Sequence, residues 1–242
     1  MTPYTCWRRF HAQHHVHSGN LAYRGAGDIK TLTTAEYAAL TPIQKACYRL
    51  YRHPAVLFAM GPPLLFIFRQ RTTYKIPRQW KAERRSVHLT NLGLLGFLGS
   101  LCLVFGPHAV LVFHLMTMSI ASITGVWLFY VQHQFPDAYW KSEEHWESWR
   151  ASIEGASYYE LPKALRWLTA NIGLHHIHHL DARIPNYRLY ECFTNHEEFA
   201  DPVRIGMMES LRCMKLRLYD TATGRMVPFA GRSRKSSAVN AS

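Results

Sequence analysis

Residues 86–136 read SVHLTNLGLLGFLGSLCLVFGPHAVLVFHLMTMSIASITGVWLFYVQHQFP and contain no Asp, Glu, Lys or Arg, although 18% of the 242 residues are charged. A turn-forming pair, Gly106-Pro107, divides the run into two apolar stretches. At about 1.5 Å per residue, each stretch is long enough to cross a bilayer core about 30 Å thick as a helix. The run therefore predicts a membrane-spanning helical hairpin at about residues 87–131. A buried helical pair in a soluble core is the alternative.

The charged flanks of this run indicate its orientation. Residues 69–85 carry seven Lys or Arg and one Glu, a composition typical of cytoplasmic loops. A hairpin returns the chain to the side it left, so we expect both flanks on the cytoplasmic side. The formal charge of +12 indicates an acidic partner or an anionic membrane surface. No nucleic-acid partner is expected, because the usual recognition motifs are not evident.

A shorter apolar stretch precedes the basic loop. Residues 54–68, PAVLFAMGPPLLFIF, are interrupted by Pro62 and Pro63, and they fall short of the roughly 20 residues that a spanning helix needs. We expect an interfacial segment at about 54–68, in the form of a re-entrant or interfacial hairpin. A short, kinked crossing is the alternative.

Two histidine clusters of the form His-x-x-His-His lie at opposite ends of the chain. Residues three and four positions apart share one face of a helix, so each cluster would present three imidazoles to a common point. The hairpin between them would bring both clusters to the same side of the membrane. The six histidines are His11, His14 and His15 in FHAQHHVHSGN, and His175, His178 and His179 in GLHHIHHLDARIPNY.

A seventh candidate ligand, His133, ends the second span in FYVQHQF, level with the two clusters. Seven imidazoles exceed the four ligands of one tetrahedral zinc and suit two metal ions. Imidazole also binds iron, copper and nickel. Because zinc has no redox chemistry, a redox reaction on a substrate dissolved in lipid favours two irons held by these seven histidines.

Other polar residues near the clusters keep more than one assignment. His17 and His176 lie off the shared faces and are expected to be structural or to bond the ligands. Asn171, one helical turn before His175, could hold a water at the metal or only cap or pack the helix. Asp181 could accept a hydrogen bond from an imidazole or be a solvated loop charge.

The sequence shows no motif for a bound cofactor that could supply electrons. No G-x-G-x-x-G or P-loop pattern occurs, which argues against a nucleotide site. The five cysteines are scattered without a C-x-x-C pair, so a thiolate metal site is not expected. Electrons must therefore come from a partner, and a small acidic carrier would suit the charge of +12.

At its longest motifs the chain resembles the membrane fatty acid desaturases, and specifically the bacterial omega-6 (Δ12) acyl-lipid branch. The motif strings are WRRFHAQHHVHSGNLAYRGAGDIKTLT, WLFYVQHQF and SYYELPKALRWLTANIGLHHIHHLDARIPNYRL. The resemblance implies an all-α, polytopic membrane bundle with a cytoplasmic, His-rich di-iron cap, in a bacterial inner membrane. It covers residues 1–228 and leaves a disordered tail at 229–242.

The resemblance also implies an activity. The family removes two hydrogens from adjacent methylenes of an acyl lipid with O2, and takes electrons from an acidic donor such as a ferredoxin. His11, His14 and His15 match its second histidine box, the cluster from His175 matches the third, and His133 matches the additional ligand. A first box, His-Asp-x-x-His, does not occur, so we expect an N-terminally incomplete domain. A lipid hydroxylase or ketolase of the same di-iron class, or an inactive truncated desaturase, remain the alternatives.

Overall fold

The computed structural model describes residues 2–25, 27–199 and 201–229, most of which are helical. The helices are α1 Tyr4–His17, α2 Thr34–Ala39, α3 Pro42–Tyr51, α4 Gly61–Pro63, α5 Lys81–Phe105, α6 Pro107–His133, α7 Ser148–Ile153, α8 Lys163–Leu168, α9 His175–Leu180, α10 Leu189–Asn195 and α11 Met207–Cys213. The strands are β1 Leu32–Thr33, β2 Tyr158–Glu160, β3 Arg204–Gly206, β4 Leu218–Asp220 and β5 Arg225–Val227. Single 3₁₀ turns form at Arg69–Arg71, Glu143–His145, Asn186–Arg188 and Glu197–Phe199.

The predicted membrane hairpin is present as α5 and α6. The two helices meet at Gly106, whose φ of +80° lies in the region that glycine adopts without steric cost. In the described part of the chain, these are the two helices long and apolar enough to span a membrane. Only 6% and 11% of their most apolar windows are buried by protein. Such exposure contradicts a soluble core pair, and we treat the hairpin as spanning a membrane.

The predicted re-entrant hairpin at 54–68 is wrong, because the chain does not reverse there. Ala55–Met60 and Leu64–Phe68 form π-type turns on either side of α4, and the junction residues all have right-handed helical dihedral angles. The prolines remove backbone donors, and the wider π turns accommodate them within one helix. With a rise of about 1.5 Å per residue, this helix is a short element. It packs along α6.

Small sheets and the ends of the long helices form a cap. β1 pairs in parallel with β4, and β4 pairs antiparallel with β5. The β4–β5 turn contains Gly224 at φ +68°, a conformation that glycine adopts without steric cost. β2 and β3 pair in parallel. The predicted all-α class therefore describes most of the chain, and the short strands are an addition to it.

The core lies where α6 enters the cap. Tyr130, Val131 and Phe135 are fully buried there, and the cap strands contribute Tyr159, Ile205 and Tyr219. The last turn of α6 is therefore anchored on all sides. Of the tail predicted to be disordered, residues 230–242 lie outside the described residues, while Phe229 packs against Tyr37 and Tyr48.

Candidate metal centre

Helix α1 supplies three imidazoles from one face. His11, His14 and His15 all lie on the side that meets α9, but only His14 is fully buried. The helix is held to α5 by Arg9, which pairs with Glu83 at 2.8 Å and stacks on Trp80 at 3.8 Å. The orientation of the first cluster is therefore tied to the membrane hairpin.

Helix α9 is short and is set by its approach to β2. The backbone N–H of Tyr159 donates to the Gly173 carbonyl at 2.8 Å, and a Cβ on Gly173 would lie only 2.5 Å from the Tyr159 oxygen. Only glycine allows this close contact, which places the helix start against the strand. The helix then turns His175 and His179 inward and leaves His178 partly exposed.

His133 enters the site from the last residue of α6. Its Nδ1 lies 3.2 Å from the Gly155 carbonyl, so Nδ1 carries the proton and donates it there. The neighbouring Gln132 amide donates to the Ile172 carbonyl at 2.8 Å, just before α9. The end of α6 is thus joined to the start of the helix that carries the second cluster.

Four Nε2 atoms converge in a buried group, which we call the four-His group. The Nε2 of His133 lies 3.1 Å from that of His14 and 2.9 Å from that of His175. The His14 and His179 Nε2 atoms are 3.2 Å apart. All four ligand atoms lie within 4.8 Å of one another, and all four side chains are buried. The group draws on three helices: α1, α6 and α9.

Hydrogen bonds on the far side of two rings fix their tautomers. The Nδ1 of His14 donates to the Asp28 carboxylate, as the Nδ1 of His133 donates to Gly155. Each neutral ring then carries a lone pair on Nε2. These two lone pairs face each other at 3.1 Å and cannot hydrogen-bond. A metal ion bound by His14 and His133 would take up both lone pairs, so the residues fit a bound metal ion.

Three other histidines form a second group, which we call the three-His group. The Nε2 of His11 lies 3.1 Å from that of His15 and 3.3 Å from that of His178. All three side chains are partly exposed. His15 also stacks on His179 of the four-His group, with ring centroids 4.2 Å apart. The two groups are therefore in direct contact.

Burial keeps five of the rings outside the membrane span neutral, those of His11, His15, His175, His178 and His179. Burial, with smaller contributions from neighbouring imidazoles, lowers the pKa of His11 to about 4 and that of His15 to about 3. Burial likewise lowers the pKa values of His175 and His179 well below the usual range, and that of His178 as well. Neutral imidazole is the form that binds metal.

All seven histidines predicted as ligands therefore lie in the two groups. His17 instead stacks on Tyr23 with centroids 4.4 Å apart, and His176 is buried near Tyr158 and Phe193. Both have structural positions outside the groups.

Two of the predicted neighbours do not reach the site. Asn171 has a left-handed backbone at φ +55° before α9, and its amide donates to the Asn186 carbonyl. Asp181 pairs with Arg183 at 2.8 Å instead of an imidazole. The carboxylate that does bond a candidate ligand, His14, is Asp28, for which the helical spacing of the histidines gives no prediction.

The position of Asp28 depends on how the glycine-rich loop after α1 folds back. Gly27 has φ +86°, and a Cβ there would lie 3.5 Å from the Phe10 oxygen and 3.6 Å from the His14 Cβ. The loop therefore returns along α1. The sequence signal for this contact is Asp28 itself, which follows Gly25 and Gly27 shortly after the first histidine cluster.

The model for the fatty acid desaturase family matches residues 1–210. A fatty acid desaturase of Bacillus subtilis is 41% identical over 227 residues, which cover 94% of this chain and 64% of the relative. Two proteins named sn-1 oleoyl-lipid 12-desaturase are more distant. The one from Anabaena variabilis is 30% identical over 39% of this chain and 29% of its own length. The one from Synechocystis sp. is 22% identical over 77% and 52%. The chain thus spans less than two thirds of the length of these relatives.

Proposed function

Because the chain belongs to the fatty acid desaturase family, a class of oxidoreductases, we propose that its seven clustered histidines hold two irons for O2-dependent desaturation of acyl lipids. The observation that carries the proposal is the 3.1 Å separation of the His14 and His133 Nε2 atoms, on rings whose Nδ1 atoms are bonded to Asp28 and Gly155. Imidazole suits iron, and the reaction needs a redox metal. Iron bound here would supply the one-electron chemistry that O2 requires.

The residues of the chain have three tasks in this reaction. Burial holds His11, His15, His175, His178 and His179 neutral, with Nε2 toward the site. The cap buries the four-His group and so excludes water from it. His133, the last residue of α6, places the four-His group at the boundary between the apolar hairpin and the cap, and the three-His group adjoins it through the stacked rings of His15 and His179. An acyl chain in the membrane can reach them there.

The balanced reaction defines what must come from outside. Two adjacent methylenes each lose one hydrogen and form a cis double bond, while O2 is reduced to two waters. The acyl chain supplies two electrons and two protons, so a donor must supply two more electrons, and solvent two more protons. A basic protein, with a formal charge of +12, fits a small acidic electron carrier such as a ferredoxin.

The two cyanobacterial relatives support a particular position for the double bond. Both are named as sn-1 oleoyl-lipid 12-desaturases, and we propose omega-6 (Δ12) desaturation for this chain. The apolar hairpin and the family together indicate membrane association. The basic loop at 69–85 supports a cytoplasmic position of both histidine groups in a bacterial inner membrane.

Lipid analysis of a bacterial host that makes no dienoic acids tests the proposal. Expression of the chain with a reduced ferredoxin should yield new cis dienoic acyl chains, and His133→Ala should abolish them. His108→Ala is the control, because His108 is exposed at the far end of the hairpin. Hydroxylated lipid without a new double bond would identify a hydroxylase instead. A purified chain without iron and a host without new lipid would overturn the proposal.

A further inference from the structure

A fully buried arginine, Arg52, lies in the cap behind the four-His group. A guanidinium stays charged in a protein, and burial of an unpaired charge is costly. Yet in the described part of the chain no carboxylate pairs with it, and its acceptors are neutral. They are the Lys30 carbonyl at 3.3 Å, the Thr31 hydroxyl at 3.2 Å, the Gln134 side-chain oxygen at 2.9 Å and the Leu216 carbonyl at 3.1 Å.

Two contacts of Arg52 are with residues of the last turn of α6, which carries His133. Gln134 directly follows His133 and accepts from the guanidinium. Tyr130, one turn earlier, offers its ring to the guanidinium at 5.7 Å, a distance suited to a cation–π interaction. The Gln134 backbone N–H also donates to the Tyr130 carbonyl at 2.7 Å. The arginine thus contacts one residue that follows His133 directly and one that precedes it by three positions.

The other contacts of Arg52 hold the loop that carries Asp28. The guanidinium binds Lys30 and Thr31, and the Thr31 hydroxyl also donates to Gln134 at 3.2 Å. Asp28 lies two residues before Lys30 and accepts the Nδ1 proton of His14. One side chain therefore connects the loop that orients His14 with the helix end that carries His133.

We infer that Arg52 is a positioning residue for the metal centre, and that it sets the separation of His14 and His133 in the four-His group. Its planar fork can bind the loop and the α6 turn at once, which a single ammonium donor reproduces poorly. The inference rests on the proposed metal centre and adds a residue with no contact to the ligands. Arg52 is expected to control metal affinity at the four-His group and to leave the three-His group unaffected.

Cobalt(II) titration of the detergent-purified chain tests the inference. A His11→Ala background disables the three-His group, so that the remaining site is the four-His group. In that background Arg52→Met should weaken Co(II) binding about 10- to 100-fold, the usual effect of losing an outer partner. It should also change the ligand-field absorption of the bound cobalt. Arg52→Lys should recover part of both.

Tyr48→Phe is the matched control. The Tyr48 hydroxyl accepts from the Leu32 N–H at 3.1 Å, and it lies 2.8 Å from the Arg217 carbonyl and 3.4 Å from the Lys30 carbonyl. It thus ties α3 to the same loop and C-terminal segment without a hydrogen bond to the α6 turn. It should lower the melting temperature but leave cobalt affinity and absorption unchanged. Equal cobalt binding by Arg52→Met and its background would overturn the inference.

A second variant covers a failure of Arg52→Met to fold. Gln134→Leu keeps the arginine but removes its link to the α6 turn, and it should weaken Co(II) binding in the same direction. Unchanged binding in both Gln134→Leu and Arg52→Lys would overturn the inference. If the His11→Ala background itself binds no cobalt, the proposed metal centre fails, which is a different result.

Discussion

The four-His and three-His groups share two helices and a stacked pair of rings, yet they differ in burial and support. The four-His group adds His133 from α6 and has outer acceptors at Asp28 and Gly155. The three-His group draws only on α1 and α9 and is partly exposed. We expect tight binding at the four-His group. Three donors leave coordination positions free for exchangeable ligands at the other.

Removal of a candidate ligand from either group should have the largest effect on metal affinity, and it should affect only that group. His133→Ala takes one Nε2 from the four-His group and should weaken metal binding there by more than the roughly 100-fold that the loss of an outer partner can cost. His11→Ala should weaken only the three-His group. Competitive titration of Co(II) with a chelator measures both affinities. Equal losses at both groups in either variant would contradict their separation.

Loss of the Asp28 carboxylate should have the next largest effect. Asp28→Asn removes the charge that fixes the His14 tautomer and should weaken binding at the four-His group about 10- to 100-fold. Asp181→Asn is the control, since Asp181 pairs with Arg183. An effect of Asp181→Asn as large as that of Asp28→Asn would exclude a specific role for Asp28.

The contrast between Asp28 and Asp181 shows where sequence reasoning stops. Helical periodicity places the histidines of each cluster on one face, because that rule is local. The partner of His14 depends on a loop that folds back through Gly27, and the sequence does not encode that path locally. Asp181 is close in sequence to the second histidine cluster. Its carboxylate instead pairs with Arg183, two residues further along the chain.

Two further errors have the same origin. Helical spacing predicts Asn171 one turn before His175, but α9 begins at His175 and the backbone of Ala170 and Asn171 is left-handed. Paired prolines suggested a reversal at 54–68, while π turns keep that helix continuous. The long apolar spans, by contrast, were predictable, because length and charge alone define them.

Acid should destabilise the metal-free protein through His15 of the three-His group. The pKa of His15 is lowered to about 3 in the folded chain, so the unfolded chain takes up protons first as pH falls below about 6.5. Stability should therefore fall steadily between about pH 6.5 and 3. Urea denaturation at pH 7.5 and 5 should show this loss, and His15→Asn should reduce it. A pH dependence unchanged in His15→Asn would refute this assignment.

The smallest expected effect sharpens the description of the exposed group. Trp7 is 44% exposed and stacks on His11 with centroids 4.7 Å apart. Such a contact contributes about 0.5–1.5 kcal/mol, or about two- to tenfold in affinity. Trp7→Ala should weaken Co(II) binding at the three-His group by that factor and spare the other. Tyr4→Ala, which removes a ring that contacts Trp7, should change neither affinity.

Anaerobic Fe(II) titration of the purified chain, with bound iron counted per chain, tests the central claim most directly. Two histidine groups of unequal burial predict two irons per chain, bound in a tight and a weaker step. His133→Ala should remove the tight step, and His11→Ala the weaker one. Binding of less than one iron per chain, or a single step that both variants abolish together, would contradict the two-group centre.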